Sequence, residues 1–339
     1  MITNVGQLAA LASNMMDASV ITAAIKFRIP DTLSNGPKHL HELVQATQTQ
    51  EEALSRLLKA LVALGIVRET SPNLFEGTTL SQALVSRPNS VLPTLFKYWN
   101  DPIQVAAWSR LDETIRAGET IFPQISGGYS HFEYMRHHPD YAKVFHQAMA
   151  AFSQRMIPTI LEAYDFNPYH SLVDIGGGNG KLMQAILERY PQASGRVFDL
   201  PEVVAQYKYA QGGELGERCT FEGGDFFETV PQHAEIYMLK NVLHDWGDED
   251  CTRILRNIRQ ALEPGGRVLV IEHAMPTDHI PSRNTAMTNL SVLLFERAHS
   301  RQRSLPEFQQ LFANSGLTLH NAIATTEQDF MIIEGYIQD

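Results

Sequence analysis

A run of glycines behind an aspartate is the first place where this sequence could do chemistry. Asp174-Ile-Gly-Gly-Gly-Asn-Gly180 follows the apolar Ser171-Leu-Val and precedes an amphipathic stretch from Lys181. Glycines at 176, 177, 178 and 180 let the backbone turn sharply and approach a ligand, with a helix N-terminus aimed at it. No Gly-Lys-Ser/Thr follows, which excludes the P-loop of nucleoside triphosphatases. Asp199 closes the next β-like run, 25 residues after Asp174. A carboxylate there can accept from both hydroxyls of a ribose. NAD and S-adenosylmethionine both carry that sugar, so the loop alone leaves a nicotinamide dehydrogenase open.

The elements that must position these residues alternate. Ser171–Gly176, Arg196–Leu200, 219–222, 235–242 and 267–273 read as strands. Lys181–Tyr190 and 249–262 read as helices, the second closed by Pro264-Gly265-Gly266. Two β-like runs, 317–325 and 330–338, end the sequence without room for a helix between them. This pattern implies a parallel α/β sheet with one antiparallel strand from the final hairpin. His244, in Leu243-His244-Asp245-Trp246, then lies just beyond the carboxyl end of the fourth strand, where such sheets place their sites.

Residues 1 to about 165 are mostly helical in pattern. Leu54, Leu57, Leu58, Leu61 and Leu64 form the stripe of a buried-face helix stopped by Gly65. Ile66–Glu69 and Phe75–Gly77 around Ser71-Pro72-Asn73 predict a hairpin, and two helices before it suggest a winged helix. Over residues 1–90, seven basic residues face seven acidic ones, which favours packing or dimerisation over reading DNA. Phe145, Met149, Phe152 and Met156 share one helical face, either as core or as lining for a flat apolar ligand.

LVDIGGGNGKL, VFDLPEVV, GGDFFE, YMLKNVLHDW and LEPGGRVLVIEHAMP, in this order, resemble the S-adenosylmethionine-dependent O-methyltransferases of the caffeate/hydroxyindole type and their bacterial and fungal natural-product relatives. The likeness covers essentially the whole sequence. It implies a Rossmann-like seven-stranded α/β sheet whose last strand is antiparallel, an intertwined homodimer and S-adenosyl-L-methionine as cofactor. The expected domains are a winged-helix-like dimerisation domain (1–100), a helical linker and substrate-pocket segment (101–168) and a cofactor-binding methyltransferase domain (169–339). The resemblance places Asp174, Gly176, Gly177, Gly178 and Gly180 at the methionine part of the cofactor. Asp199 falls at its ribose, Asp225 and Phe226 at its adenine and Lys240 at its carboxylate end, with Leu200 also among the cofactor residues. Phe226 also reads as simple core, and Asp199 as a helix cap before Pro201.

A phenol with a pKa near 10 is a poor nucleophile, and a histidine base typically contributes about 10²–10⁴-fold. His244 matches the family's base. Glu272 matches one of the two glutamates that flank it, where it would orient the imidazole; the alternative is a strand-end carboxylate facing water. At the second glutamate's place stands Gln302, uncharged, in Arg297-Ala-His-Ser-Arg-Gln-Arg-Ser304, which also lacks the family's two glycines. Arg297, His299, Arg301 and Arg303 are expected to reshape the pocket mouth. His131, Phe145, Met149, Phe152, Asn289 and Arg297 are the expected pocket residues for a phenol, polyketide or heteroaromatic acceptor. Gln302 keeps open a relative that binds the cofactor without methylating, such as a pericyclase, decarboxylase or hydroxylase. In that case Arg297 and His131 are candidates for stabilising charge on the substrate.

Composition narrows the classes further. The 339 residues carry 27 basic and 38 acidic side chains, a net charge of −11, which speaks against a nucleic-acid partner. No run of about 18 apolar residues predicts a membrane span, and Asp17 interrupts the N-terminal apolar stretch, so a cytoplasmic protein is expected. Cys219 and Cys251 are too few for a disulfide framework, and no histidine or cysteine spacing predicts a metal site.

Overall fold

Apolar periodicity sets two different kinds of core in this chain. The computed structural model describes residues 3–87, 90–207, 215–296 and 299–338. They divide into two compact units, Met1–Ser109 with Met135–Ala151, and Arg110–Tyr134 with Phe152–Asp339. The stretch 101–168, expected as a linker and pocket segment, is therefore shared between both units, and its helix Pro139–Ala163 carries the chain from one into the other.

In the first unit, helices Leu40–Thr47 and Glu51–Ala63 precede strands β2 (Val67–Ser71) and β3 (Leu74–Gly77), with β1 (Lys38–His39) paired to β3. Leu54, Leu58 and Leu61 of the predicted stripe are buried beside Ile25, Ile29 and Phe75. Each such side chain contributes about 1.5–3 kcal/mol relative to exposure. Gly65, at φ +70°, takes the left-handed turn that stops the helix. No single helix among the described residues is long and apolar enough to cross a membrane; the bent pair Val5–Leu11 and Asn14–Lys26 passes that test only together.

The second unit holds the predicted sheet. Its strands are β4 (Ser171–Ile175), β5 (Ser194–Asp199), β6 (Cys219–Gly223), β7 (Ala234–Lys240), β8 (Leu262–His273), β9 (Thr318–Ala324) and β10 (Phe330–Tyr336). They lie in the order β6-β5-β4-β7-β8-β10-β9. The first five are mutually parallel, and β10 runs antiparallel to both β8 and β9. Alternate residues face opposite sides, and both sides are covered. Val173, Ile175, Tyr237, Leu239, Val268 and Val270 pack toward helices Asp248–Ala261 and Leu305–Ser315. Leu172, Ile236, Met238, Leu269 and Ile271 pack toward Lys181–Arg189 and the end of the 139–163 helix.

Two expectations are refined. The last strand is antiparallel as expected, and its place is specific: β10 inserts between β8 and β9, leaving β9 outermost. Pro264-Gly265-Gly266 does not close the helix, which stops at Ala261; the three residues lie within β8, where its pairing with β7 jumps from Ala234↔Leu262 to Ile236↔Arg267. The jump absorbs extra residues as a bulge and sets the register that carries Glu272 to its place. From β4 the chain runs outward to β5 and β6, then returns to β7 on the other side. The carboxyl ends of β4 and β7 therefore flank the topological switch point, where open α/β sheets bind ligands.

Candidate functional site

The glycine loop lies flat against the end of the sheet. Gly176, Gly178 and Gly180 have φ of +66°, +55° and +70°, a backbone that side chains strain. A Cβ on Gly177 would stand 2.8 Å from both the Asp174 carboxyl and Val197. At the tip of β5, Asp199 accepts from the Gly178 N–H at Oδ2 and from the Leu200 N–H at Oδ1, each at 2.8 Å. Those bonds pin its carboxylate and leave lone pairs for further donors. The Leu200 side chain is exposed.

Lys240 ends β7 and donates to Ser153 Oγ at 2.8 Å. Burial pushes the Asp174 carboxyl up to about 7 while Lys240 pulls it down and Asp199 adds to the rise. Burial also pushes the Asp199 carboxyl up, against its two backbone bonds, and lowers the Lys240 ammonium, which Asp174 and Glu272 support. Two carboxylates and one ammonium thus meet where burial disfavours charge, a donor set matched to a ligand with hydroxyls, a cation and a carboxylate.

Beyond Lys240 the chain passes through Asn241, at φ +53°, into a short 3₁₀ turn, Leu243–Asp245, that carries His244. Glu272, near the end of β8, holds this turn from beneath. Its Oε1 accepts from the backbone N–H of Val242 at 2.9 Å, Leu243 at 2.7 Å and His244 at 3.3 Å. Arg303 holds it from the side, donating to the carbonyls of Leu243 at 2.9 Å and Trp246 at 2.7 Å and to Asp248 Oδ1 at 2.9 Å. Arg303 is fully buried, so it does not belong to a pocket mouth as the sequence suggested. Arg301 pairs instead with Asp248 and Glu307. Glu272 is likewise fully buried, which removes the alternative of a carboxylate facing water.

The His244 side chain is 12% exposed. Its Nε2 lies 3.2 Å from Asp245 Oδ1; its Nδ1 lies 3.9 Å from Glu272 Oε1 and 3.3 Å from the Gln302 amide nitrogen. Gln302 Oε1 and Glu272 Oε2 are buried without a hydrogen-bond partner among the described residues. Turning the Gln302 amide over places Oε1 where it accepts from the imidazole Nδ1–H, an exchange of near-identical atoms that hydrogen-bonding decides. Burial alone lowers the imidazolium, but the Asp245 and Glu272 carboxylates more than offset it and hold His244 up at about 9. Burial raises Glu272, opposed by His244, Arg303 and the backbone donors.

The other expected residues separate. The Asn289 Oδ1 accepts from the Gln302 N–H at 2.9 Å. Phe226 is half-buried, edge-on to Trp246 with centroids 5.8 Å apart, and Asp225 caps the following turn by accepting from the Phe227 N–H. Phe132 is nearly parallel to Trp246, centroids 6.2 Å apart. His131 is buried, with Nδ1 2.9 Å from Glu296 Oε1. Phe145 packs on Tyr98 and Tyr141 in the first unit, where Met149 also lies, whereas Phe152 falls in the second. Arg297 lies outside the described residues. Ser153, Glu296 and the anchoring role of Arg303 carried no local signal in the sequence. Among the described residues no group of three or more His, Cys, Asp or Glu could hold a metal ion.

Comparison with known proteins gives this geometry a context. An O-methyltransferase domain matches residues 108–318, and an O-methyltransferase dimerisation domain matches residues 9–87. The phenazine O-methyltransferase PhzM of Lysobacter antibioticus is 35% identical over 305 residues, 89% of this chain and 87% of that protein. The mitomycin biosynthesis 6-O-methyltransferase of Streptomyces lavendulae is 33% identical over 319 residues, 94% and 90% of the respective chains. Among solved structures, human N-acetylserotonin methyltransferase in complex with SAM has a TM-score of 0.86 at 25% identity, covering 98% of this chain and 97% of that one.

Proposed function

The chain belongs to the O-methyltransferase family, and from that premise we propose that it methylates a hydroxyl of a flat, mostly apolar small molecule with His244 as general base. A phenol, polyketide or heteroaromatic fits that description. S-adenosylmethionine is the cofactor; when bound it supplies a methyl group on a sulfonium. The single observation behind the reading is the juxtaposition of two built pieces, the glycine loop after β4 and the clamped His244 turn after β7, at neighbouring strand ends.

The residues present fit that cofactor. A Cβ built on Gly178 would stand in open space, with nothing within 4 Å, so there the loop offers bare backbone to the methionine part. Asp199, pinned by two N–H groups, presents its remaining lone pairs to the ribose hydroxyls, with Leu200 beside it. Asp225 and Phe226 serve the adenine. Lys240 pairs with the carboxylate end, and Asp174 regains its charge beside the ammonium. Gln302 accepts the Nδ1–H, which leaves Nε2 to take the acceptor's proton, and Asp245 Oδ1, 3.2 Å from Nε2, accepts from the N–H so formed. Glu272 keeps the turn in place and offsets the imidazolium that forms. Of the expected pocket residues, His131, Phe152 and Asn289 belong to the same unit as His244 and are the ones assigned to the acceptor. The dimerisation-domain match supports a homodimer built through residues 9–87.

Methyl-labelled S-adenosylmethionine offered with a panel of phenolic acceptors tests the reading: label is expected in the acceptor. Acceptor consumed while the label stays on the cofactor would instead identify a cofactor-retaining rearrangement or decarboxylation. The pH dependence follows from His244. Asp245 from its own turn, Glu272 from β8 and Glu296 beyond the 283–295 helix raise it; burial holds the neighbouring His273 imidazolium down, and Arg303, beside Glu272, is the positive neighbour. Because its pKa is raised, the neutral base is scarce at pH 7 and predominates only above about 9. kcat/KM is therefore expected to climb about tenfold per pH unit from 7 and level near 9. A plateau already complete at pH 7.5 would contradict the assignment.

A further inference from the structure

Gln302 carries no charge where the resemblance places a carboxylate, yet the His244 turn is not short of one. Glu296 follows the helix Arg283–Phe295, six residues before Gln302, and its side chain is only 10% exposed. Its Oε1 meets His131 Nδ1 at 2.9 Å, and the His131 ring is packed among Phe122, Phe132 and Phe295. Both partners come from segments that enclose the His244 turn. Phe132, next to His131, lies nearly parallel to Trp246; Ser300 donates to the Asp245 carbonyl at 2.7 Å; Gln302 reaches His244 itself.

Burying a carboxylate is costly, and a buried ion pair is seldom more stable than an apolar pair of the same size. Stability alone gives no reason for Glu296 and His131 in a shell of aromatic rings. We propose that Glu296, held by His131, is a positioning residue that supplies to His244 the negative charge Gln302 lacks. The charge acts through space in a low-dielectric setting, where separations beyond hydrogen-bond reach still count. Burial and the Asp245 charge push the Glu296 carboxyl up, His131 and then His244 oppose them, and Glu296 in turn raises the His244 imidazolium. The division of labour is then distinct: Gln302 orients the ring, Glu296 strengthens it as a base.

This inference rests on His244 being the base, and the test keeps the two apart. The His244 ionisation is followed by histidine NMR titration of the full chain, with His244→Ala identifying its resonance, alongside the pH profile of kcat/KM. Glu296→Gln keeps the size and is expected to lower the His244 midpoint by about one pH unit. It should also move the acidic limb by the same amount and lower the high-pH plateau several-fold. Adding Gln302→Glu to that variant should return the midpoint, which a merely structural role of Glu296 would not allow. Should Glu296→Gln misfold, Gln302→Glu alone in the native background must raise the midpoint by a similar amount. An unmoved midpoint in folded Glu296→Gln, or no recovery in the double variant, overturns the inference. A midpoint that moves while the rate profile stays still supports Glu296 and removes His244 as the base.

Discussion

Replacing His244 with alanine is expected to lower kcat by at least about 10²-fold while the affinity for S-adenosylmethionine is retained. The split follows from where the imidazole stands. It lies on the β7 side of the switch point with its nitrogens engaged by Asp245, Glu272 and Gln302, whereas the glycine loop and Asp199 belong to β4 and β5. Losing the ring removes the proton acceptor but none of the backbone donors of the loop. Calorimetric titration with cofactor and single-turnover kinetics on one acceptor together decide the matter. Turnover that survives in His244→Ala would show that the base lies elsewhere, and affinity lost along with turnover would show that the ring also supports the cofactor's place. Raising the pH should rescue the variant in part, because an acceptor with a pKa near 10 then ionises by itself.

The second large effect is expected at Arg303, which touches no reacting atom. Its guanidinium binds the carbonyls of Leu243 and Trp246, the residues on either side of His244 and Asp245. Methionine can fill much of the volume but donates nothing, so Arg303→Met leaves the Leu243 carbonyl to the Trp246 N–H and the Cys251 thiol, and the Trp246 carbonyl to that thiol alone; each charge-assisted bond lost costs about 1.5–3 kcal/mol. Asp248 is half exposed and recovers water and Arg301. We expect a Tm lower by several degrees and, in the protein that remains folded, kcat down by about 10²-fold, since a displacement near 1 Å suffices for that loss. Arg303→Lys should recover little of either, because a single ammonium cannot span both carbonyls in the guanidinium's planar fork. An Arg303→Met protein with unaltered Tm and kcat would show that Glu272 alone holds the turn.

These two residues differ in how far their roles could be read in advance. His244 stands in a short motif beyond a strand whose apolar run marks it, and the nearly unbroken apolar runs within 171–175, 235–240 and 267–273 follow from burial on both faces of a parallel sheet. The glycine loop, its following helix and Asp199 at the end of the next strand are legible for the same reason. Each depends on neighbours within about a turn or a strand length, where spacing in sequence is spacing in space. By itself, then, the sequence determined the α/β sheet, the glycine loop, the leucine-striped helix of the first unit and the place of the imidazole.

Tertiary structure decided what flanks that imidazole. Glu272 reads equally as a water-facing strand end until the bulge at Pro264–Gly266 sets the register of β8 and buries it under three N–H groups. Arg303 resembles one of several loop arginines until it is found 60 residues from Leu243 in sequence and 2.9 Å from its carbonyl in space. Glu296 and His131, 165 residues apart, share no local pattern at all. Hydrogen bonds and charges of this kind depend on ångström distances between distant segments. Those distances exist only once the apolar surfaces have been buried together.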